Sequence, residues 1–276
     1  MATAPLKHAL KRGVKHGARV LGTLRRSGSG QTRILTYHSV GARGHEMNVR
    51  PEDFAAQMEW LAAHAEVIPL RDAVFGRPGV ALSFDDGFAD NLLHAAPILV
   101  KHAFPATVFM IAGSAGACFP AGSGNEADRI LDWPQLRELA AMGIEIGAHT
   151  LTHPRLSQCS VAQQREEIGG SKKRIEDELQ AAVHSFAYPY GSRLDYTQET
   201  VGFVNGAGFR CAVSNCYGPA SRDRVPFEQR RIWIDRTDTL AQFQDKVTGT
   251  LDLLSVQDSA LGIRARRLLN RVLGTR

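Results

Sequence analysis

The stretch Gly79-Val80-Ala81-Leu82-Ser83-Phe84-Asp85-Asp86-Gly87 runs from mostly apolar residues into two adjacent carboxylates and a glycine. Such an apolar run suits a strand buried on both faces, as in parallel sheets covered by helices. A chain leaving that strand arrives at the carboxyl edge of the sheet, where α/β enzymes keep their chemistry. Successive side chains on a strand end point to opposite faces, so Asp85 and Asp86 need not share a task. One can hold a metal while the other stands beside it as a base. Gly87 gives the following turn a freedom that other residues lack.

Asp-Asp-Gly alone also suits a turn with helix-capping carboxylates. A second cluster, His149-Thr150-Leu151-Thr152-His153, shifts the balance, because it too follows a strand-like run, Ile144-Glu145-Ile146-Gly147-Ala148. Two histidines four residues apart lie on one face if the segment turns helically, close enough to share a tetrahedral zinc. With Asp86 they make an Asp-His-His set that leaves one position for water, the layout of a hydrolytic metal centre. Imidazole nitrogens with one carboxylate suit Zn2+; cobalt or nickel fits the same donors.

Ser83-Phe84-Asp85-Asp86-Gly87, His149-Thr150-Leu151-Thr152-His153 and Tyr188-Pro189-Tyr190-Gly191 occur in the order and rough spacing of the polysaccharide deacetylases. These are the family-four carbohydrate esterases, with a NodB-homology domain. The resemblance covers about residues 33 to 250. The opening Leu35-Thr36-Tyr37-His38 resembles the branch acting on poly-N-acetylglucosamine and related exopolysaccharides.

The resemblance implies an α/β fold, an incomplete (β/α) barrel, and an N-deacetylase of N-acetylglucosamine-containing oligo- or polysaccharides. It implies Asp86, His149 and His153 as metal ligands, Asp85 as general base, and the main chain of Tyr190 as oxyanion donor, since Pro189 has no N–H. Two departures stand out. The family's third motif begins with an Arg that balances the base, and Ala187 occupies that position. Arg231, before Ile232-Trp233-Ile234, is the first substitute and Arg230 the second. The family's late histidine, which protonates the leaving amine, has no counterpart after His184. Its proton then comes from His38 at the end of the first strand, from the metal-water network, or from nowhere, leaving catalysis weak. His184, at a strand start, belongs to the other end of the barrel. An O-acetyl or N-formyl sugar hydrolase, or a glycan-binding pseudoenzyme, are the alternatives.

The formal charge of +5 is unevenly spread over the 276 residues. Residues 1–33 carry eight Lys or Arg and residues 259–276 carry five Arg, both without an acid, so the middle is net −8. The chain therefore divides into a basic N-terminal extension (1–32), the catalytic domain (33–256) and a basic C-terminal tail (257–276), both ends expected to be helical. Leu6, Leu10, Val14, Ala18, Leu21 and Leu24 recur at near-helical spacing between the N-terminal cations. That pattern suits either a solvated helix or peripheral contact with an anionic membrane. No apolar h-region marks a signal peptide, and Cys118, Cys159, Cys211 and Cys216 form no zinc-knuckle spacing. The expected location is cytoplasmic, at most peripheral on the inner membrane face. No aromatic platform or known module accompanies the charge, which argues against nucleic acid as a partner.

Strand-like segments are expected at 33–37, 66–70, 79–84, 106–111, 144–148, 184–188, 209–213 and 232–234. Helices are expected at 51–65, 90–103, 133–142, 160–180 (interrupted by Gly169-Gly170), 197–206 and 240–254. The small-residue stretch 112–130 reads as a loop over the site. Strands alternating with helices mean a parallel sheet with helical cover.

Overall fold

The computed structural model describes residues 31–41, 47–120, 125, 128–221 and 225–258. The apolar series from Leu6 to Leu24 and the stretch 259–276 lie outside the described residues.

Seven parallel strands pair in chain order: β1 (Thr32–Tyr37), β2 (Gly79–Phe84), β3 (Ala106–Met110), β4 (Glu145–Ala148), β5 (Ser185–Ala187), β6 (Cys211–Tyr217) and β7 (Gln229–Trp233). The barrel has one strand fewer than the eight of a full (β/α) barrel. Its hydrogen-bonded ring nonetheless closes, because β1 pairs with β2 on one side and with β7 on the other, through Leu35↔Ile232 and Thr36↔Trp233. Closure leaves no barrel strand with an exposed edge.

The crossovers carry the helices: α1 (Pro51–His64) and α2 (Leu70–Val74) before β2, then α3, a π-helical turn Asn91–Ala95 running into Ala96–Lys101. α4 (Trp133–Ala141) precedes β4, and α5 precedes β5 as Val161–Arg165 and Ser171–Leu179 joined by a π-helical turn, Glu166–Gly170. α6 (Gln198–Gly206) and α7 (Leu240–Thr248) complete the set. Local chemistry starts these helices. Pro51 opens α1 with Glu52 and Asp53 in the first turn, and capping boxes open α4 (Asp132 with Gln135), α5 (Ser160 with Gln163), α6 and α7.

The expected strand at 66–70 is reduced to one bridge, Val67↔Val80, after which Pro69 starts α2. A proline has no N–H for a ladder and is already set for a helical start. β6 runs on to Tyr217, and β7 begins at Gln229, before Ile232. The last helix stops at Thr248 because Gly249 takes a left-handed cap, with φ 89. The Gly169-Gly170 pair does not break α5; it sits in the π turn.

Alternation along the strands sorts the interior from the cover. Ile34, Ala81, Phe109, Ala187 and Val213 cluster inside the barrel with Ile68, Leu70 and Val74. Leu35, Leu82, Phe84 and Val108 belong to the larger core against the helices, where Phe84 stacks on Tyr37 and meets Phe54 of α1 edge-on. Gly147 is required by close packing: a Cβ there would sit 2.5 Å from the Phe109 ring. The four cysteines are free thiols, two of them buried. Among the described residues, no helix is long and apolar enough to cross a membrane.

Candidate active site

Ala81, Ser83 and Asp85 follow the inward phase of β2, so Asp85 stands in the barrel interior at the carboxyl end, 1% exposed. Arg231 enters from β7 and is fully buried. Its Nη1 and Nη2 donate to Asp85 Oδ1 and Oδ2, both at 2.6 Å. Nε donates to Ser214 O, Nη1 also to Ser83 Oγ, and Nη2 also to Asn215 Oδ1. All five guanidinium N–H groups are thereby used. Burial alone would raise the Asp85 pKa; the Arg231 charge, then His149, overrule it and hold the carboxyl well below the usual range. Arg230 lies elsewhere, lining a separate cavity of about 210 Å³ with Arg193 and Glu228. Ala187 is buried inside the barrel, so the cation facing Asp85 comes from β7 and not from β5.

Asp86 leaves the strand with φ 70, a conformation uncommon outside glycine and frequent at functional sites. Its Oδ1 lies 3.5 Å from His149 Nε2 and 3.5 Å from His153 Nε2, and one donor atom from each residue falls within a 4.8 Å cluster. His149 Nδ1 lies 2.7 Å from Ala187 O, which can only accept, so Nδ1 carries the proton and Nε2 the lone pair. Burial pushes both imidazoles toward the neutral form, His153 down to about 3. A lone pair on His149 thus faces a carboxylate oxygen with no proton between them. A divalent cation fits that arrangement, and the N,N,O donor set suits zinc.

The two histidines do not meet by a helical turn. The segment from His149 to His153 is irregular, with left-handed Thr150 (φ 66) and His153 (φ 61). Pro154 disfavours the helical region for His153. Thr150 Oγ1 instead accepts from His153 N at 3.0 Å. The loop is held from outside by Glu167, whose carboxylate accepts from Leu151 N, Thr152 N and Thr152 Oγ1 at 2.6–2.9 Å. Glu167 sits in the π turn of α5, a local rewinding often found at functional sites. Gly170 allows the close approach, since a Cβ there would lie 2.9 Å from Leu151 Cδ1.

Pro189-Tyr190-Gly191 forms a three-residue turn closed by Gly191 N–H to Pro189 O at 2.6 Å, with φ 59 at Tyr190. Positive φ at the centre is the rare, strained hand of this turn. Asn215 Nδ2 donates to Tyr190 O. A cavity of about 870 Å³ opens above the cluster, with His38, Phe119, Tyr190 and Trp233 on its walls beside Asp85 and Asp86. Phe119, from the expected covering loop, meets the His153 ring edge-on. His184 precedes β5, at the end of the barrel away from this cavity.

Asp85, Asp86, His149, His153 and Tyr190 thus line one cavity with His38, and Arg231 joins them through Asp85, while Pro189 is not on the cavity wall. Glu167, Asn215 and the groove wall at Trp233 were not foreseen. Glu167 acts across 15 or 16 positions, and no local pattern reveals it. Asn215 lies two residues beyond the expected strand at 209–213, in the part by which β6 runs on to Tyr217.

The polysaccharide deacetylase family model matches residues 73–212. YxkH of Bacillus subtilis (strain 168), assigned by name to the polysaccharide deacetylases, is 30% identical over 208 residues, 72% of this chain and 70% of its own. A chitooligosaccharide deacetylase of Sinorhizobium fredii is 33% identical over 122 residues, 42% of this chain and 48% of that protein. A poly-beta-1,6-N-acetyl-D-glucosamine N-deacetylase of Staphylococcus aureus is 27% identical over 165 residues, 54% of this chain and 55% of that protein. The chain thus spans about half the length of these last two relatives. Among solved structures, the Streptococcus pyogenes deacetylase PplD in complex with acetate superposes with a TM-score of 0.68 at 23% identity, covering 79% of this chain and 99% of that one. At that identity the likeness speaks for the fold.

Proposed function

The chain belongs to the polysaccharide deacetylase family, hydrolases of the amide bonds of acetylated sugars, and from that premise we propose that it is a metal-dependent N-deacetylase of N-acetylglucosamine-containing oligo- or polysaccharides. One observation carries the reading: the Asp86–His149–His153 cluster lies beside the ion-paired Asp85 at the floor of a large cavity. In this reading Asp86, His149 and His153 hold a divalent cation, most simply Zn2+. When bound, it supplies Lewis-acid polarisation and makes water acidic enough to act near neutral pH.

Asp85 takes the proton of the attacking water. The Arg231 charge keeps the buried carboxyl ionised, and the guanidinium uses only part of the lone-pair capacity of a carboxylate. The Tyr190 N–H is the donor to the oxyanion formed as the N-acetyl carbonyl becomes tetrahedral. His38, on the cavity wall at the end of β1, gives the proton to the departing amine. Acetate and a free amine result.

Trp233 supports a sugar chain as substrate. The residue is 38% exposed, its ring tethered by Nε1–H to Asn215 O at 2.8 Å and packed edge-on to Tyr217. A fixed apolar face beside polar groups suits a pyranose ring. Tyr190 is less free for that role, because Arg155 lies 3.9 Å over its ring and the His153 ring is 4.8 Å away.

The test is acetate release from N-acetylglucosamine oligomers by wild type and Asp85→Asn, with bound zinc measured on both. Zinc in both proteins and acetate from the wild type alone support the mechanism. Zinc without acetate from any oligomer overturns the substrate, and absence of zinc overturns the metal assignment.

A further inference from the structure

We propose that Asn215 is a positioning residue that locks the base and the oxyanion turn into one unit, a role that rests on the deacetylase reading above. It sits on β6 where the register with β7 shifts between Val213 and Tyr217. Each of its four polar groups is engaged. Oδ1 accepts from Arg231 Nη2 at 2.7 Å, and Nδ2 donates to Tyr190 O at 3.3 Å. The backbone N–H donates to Gly191 O at 2.9 Å, and the backbone carbonyl accepts from Trp233 Nε1 at 2.8 Å.

The orientation of the amide follows from its partners. A guanidinium only donates and a peptide carbonyl only accepts, so Oδ1 must face Arg231 and Nδ2 must face Tyr190. A primary amide offers an acceptor and a donor on one short planar head, whereas an ionised carboxylate only accepts. Both partners need holding. Arg231 spends its fifth N–H on Oδ1, which fixes the rotation of the fork gripping Asp85. Tyr190 is held at φ 59, a conformation that persists only where surrounding contacts over-determine it. The turn is also pressed against Asn215 itself: a Cβ on Gly191 would lie 2.6 Å from Asn215 N.

The two backbone bonds survive any side-chain change, so substitution tests the amide head alone. Asn215→Asp keeps the acceptor for Arg231 but sets an oxygen against Tyr190 O. Asn215→Ala removes both bonds. The experiment compares kcat and KM for acetate release from N-acetylglucosamine oligomers in wild type and both variants. Bound zinc and the amide NMR resonances of Tyr190 and Gly191 are read on the same samples.

The expected result is a kcat lowered about 10- to 100-fold in both variants, the scale of losses behind outer supporting contacts. KM stays within about threefold, as for a group acting in the transition state. Zinc content is unchanged, and the Tyr190 and Gly191 resonances move. Wild-type kcat in Asn215→Asp overturns the coupling, as does a loss confined to KM, which marks a substrate contact. If the wild type releases no acetate, the deacetylase reading fails, and the resonances decide alone: moved in both variants they uphold the coupling, unmoved they overturn it.

Discussion

Arg231 and Asp85, 146 residues apart in sequence, meet fork to fork with both N–O distances at 2.6 Å and neither side chain more than 1% exposed to solvent. A buried pair of this kind owes its value less to attraction than to the cost of stranding either member. Removing one partner typically costs about 3–5 kcal/mol, because the other charge is left in a medium that cannot solvate it.

Arg231→Gln is therefore expected to lose about 3–5 kcal/mol of stability in denaturant melts of metal-free protein and about 10²–10⁴-fold in acetate release. The pH dependence has a definite sign. In the wild type the folded Asp85 pKa is depressed, so its contribution is present above the unfolded value of about 3.9 and is lost as pH falls toward the folded one. In the variant, burial without the guanidinium raises the folded pKa, and the carboxyl protonates early. The stability gap should be largest near pH 7 and shrink toward pH 4. A gap independent of pH would sink this account.

Metal removal gives a second expectation. Dialysis against a chelator should abolish acetate release and lower Tm, and added zinc should restore both. At 100 times its Kd, a ligand that binds only the folded state stabilises by about 2.7 kcal/mol. Asp86→Asn should show neither recovery, while Asp85→Asn should recover Tm without activity.

Glu167 gives a third. It touches none of the proposed ligands, yet it holds the two peptide N–H groups and one hydroxyl that shape the loop between them. Glu167→Ala should weaken zinc binding by about 10- to 100-fold, the usual scale for outer-layer support. Glu167→Gln keeps one acceptor oxygen and should fall between. Competition with a chromogenic chelator reads both, and equal affinity in all three proteins would refute the role.

The barrel was legible because its strands are apolar runs ending in chemistry, as in Ala81-Leu82-Ser83-Phe84 before Asp85. The segment 66–70 misled because Glu66-Val67-Ile68-Pro69-Leu70 has the apolar content of a strand while Pro69 withholds the N–H a ladder needs. The proposed ligands were readable as residue types. Their approach was not, since left-handed turns at Thr150 and His153 depend on a distant carboxylate and not on local periodicity. Arg231 was reachable only through the vacancy at Ala187; that it faces Asp85 follows from the barrel closing, which no local pattern encodes.

Trp233→Ala tests the groove. Loss of a fixed aromatic face should raise KM for N-acetylglucosamine oligomers about 3- to 10-fold, equivalent to the about 0.5–1.5 kcal/mol typical of such contacts, and leave kcat within about threefold. Activity on the monosaccharide should not change. An equal loss on monomer and oligomer would place the indole at the reacting sugar.

Because β7 both closes the barrel and brings in Arg231, the order of synthesis matters to the chemistry. A chain growing from its N-terminus exposes Asp85, Asp86, His149 and His153 long before residue 231 is made. Until then the ring lacks the strand that pairs with β1 through Leu35 and Thr36, and Asp85 lacks the Arg231 guanidinium. A chain that stops short of β7 thus carries Asp86, His149 and His153 without the ion pair at Asp85.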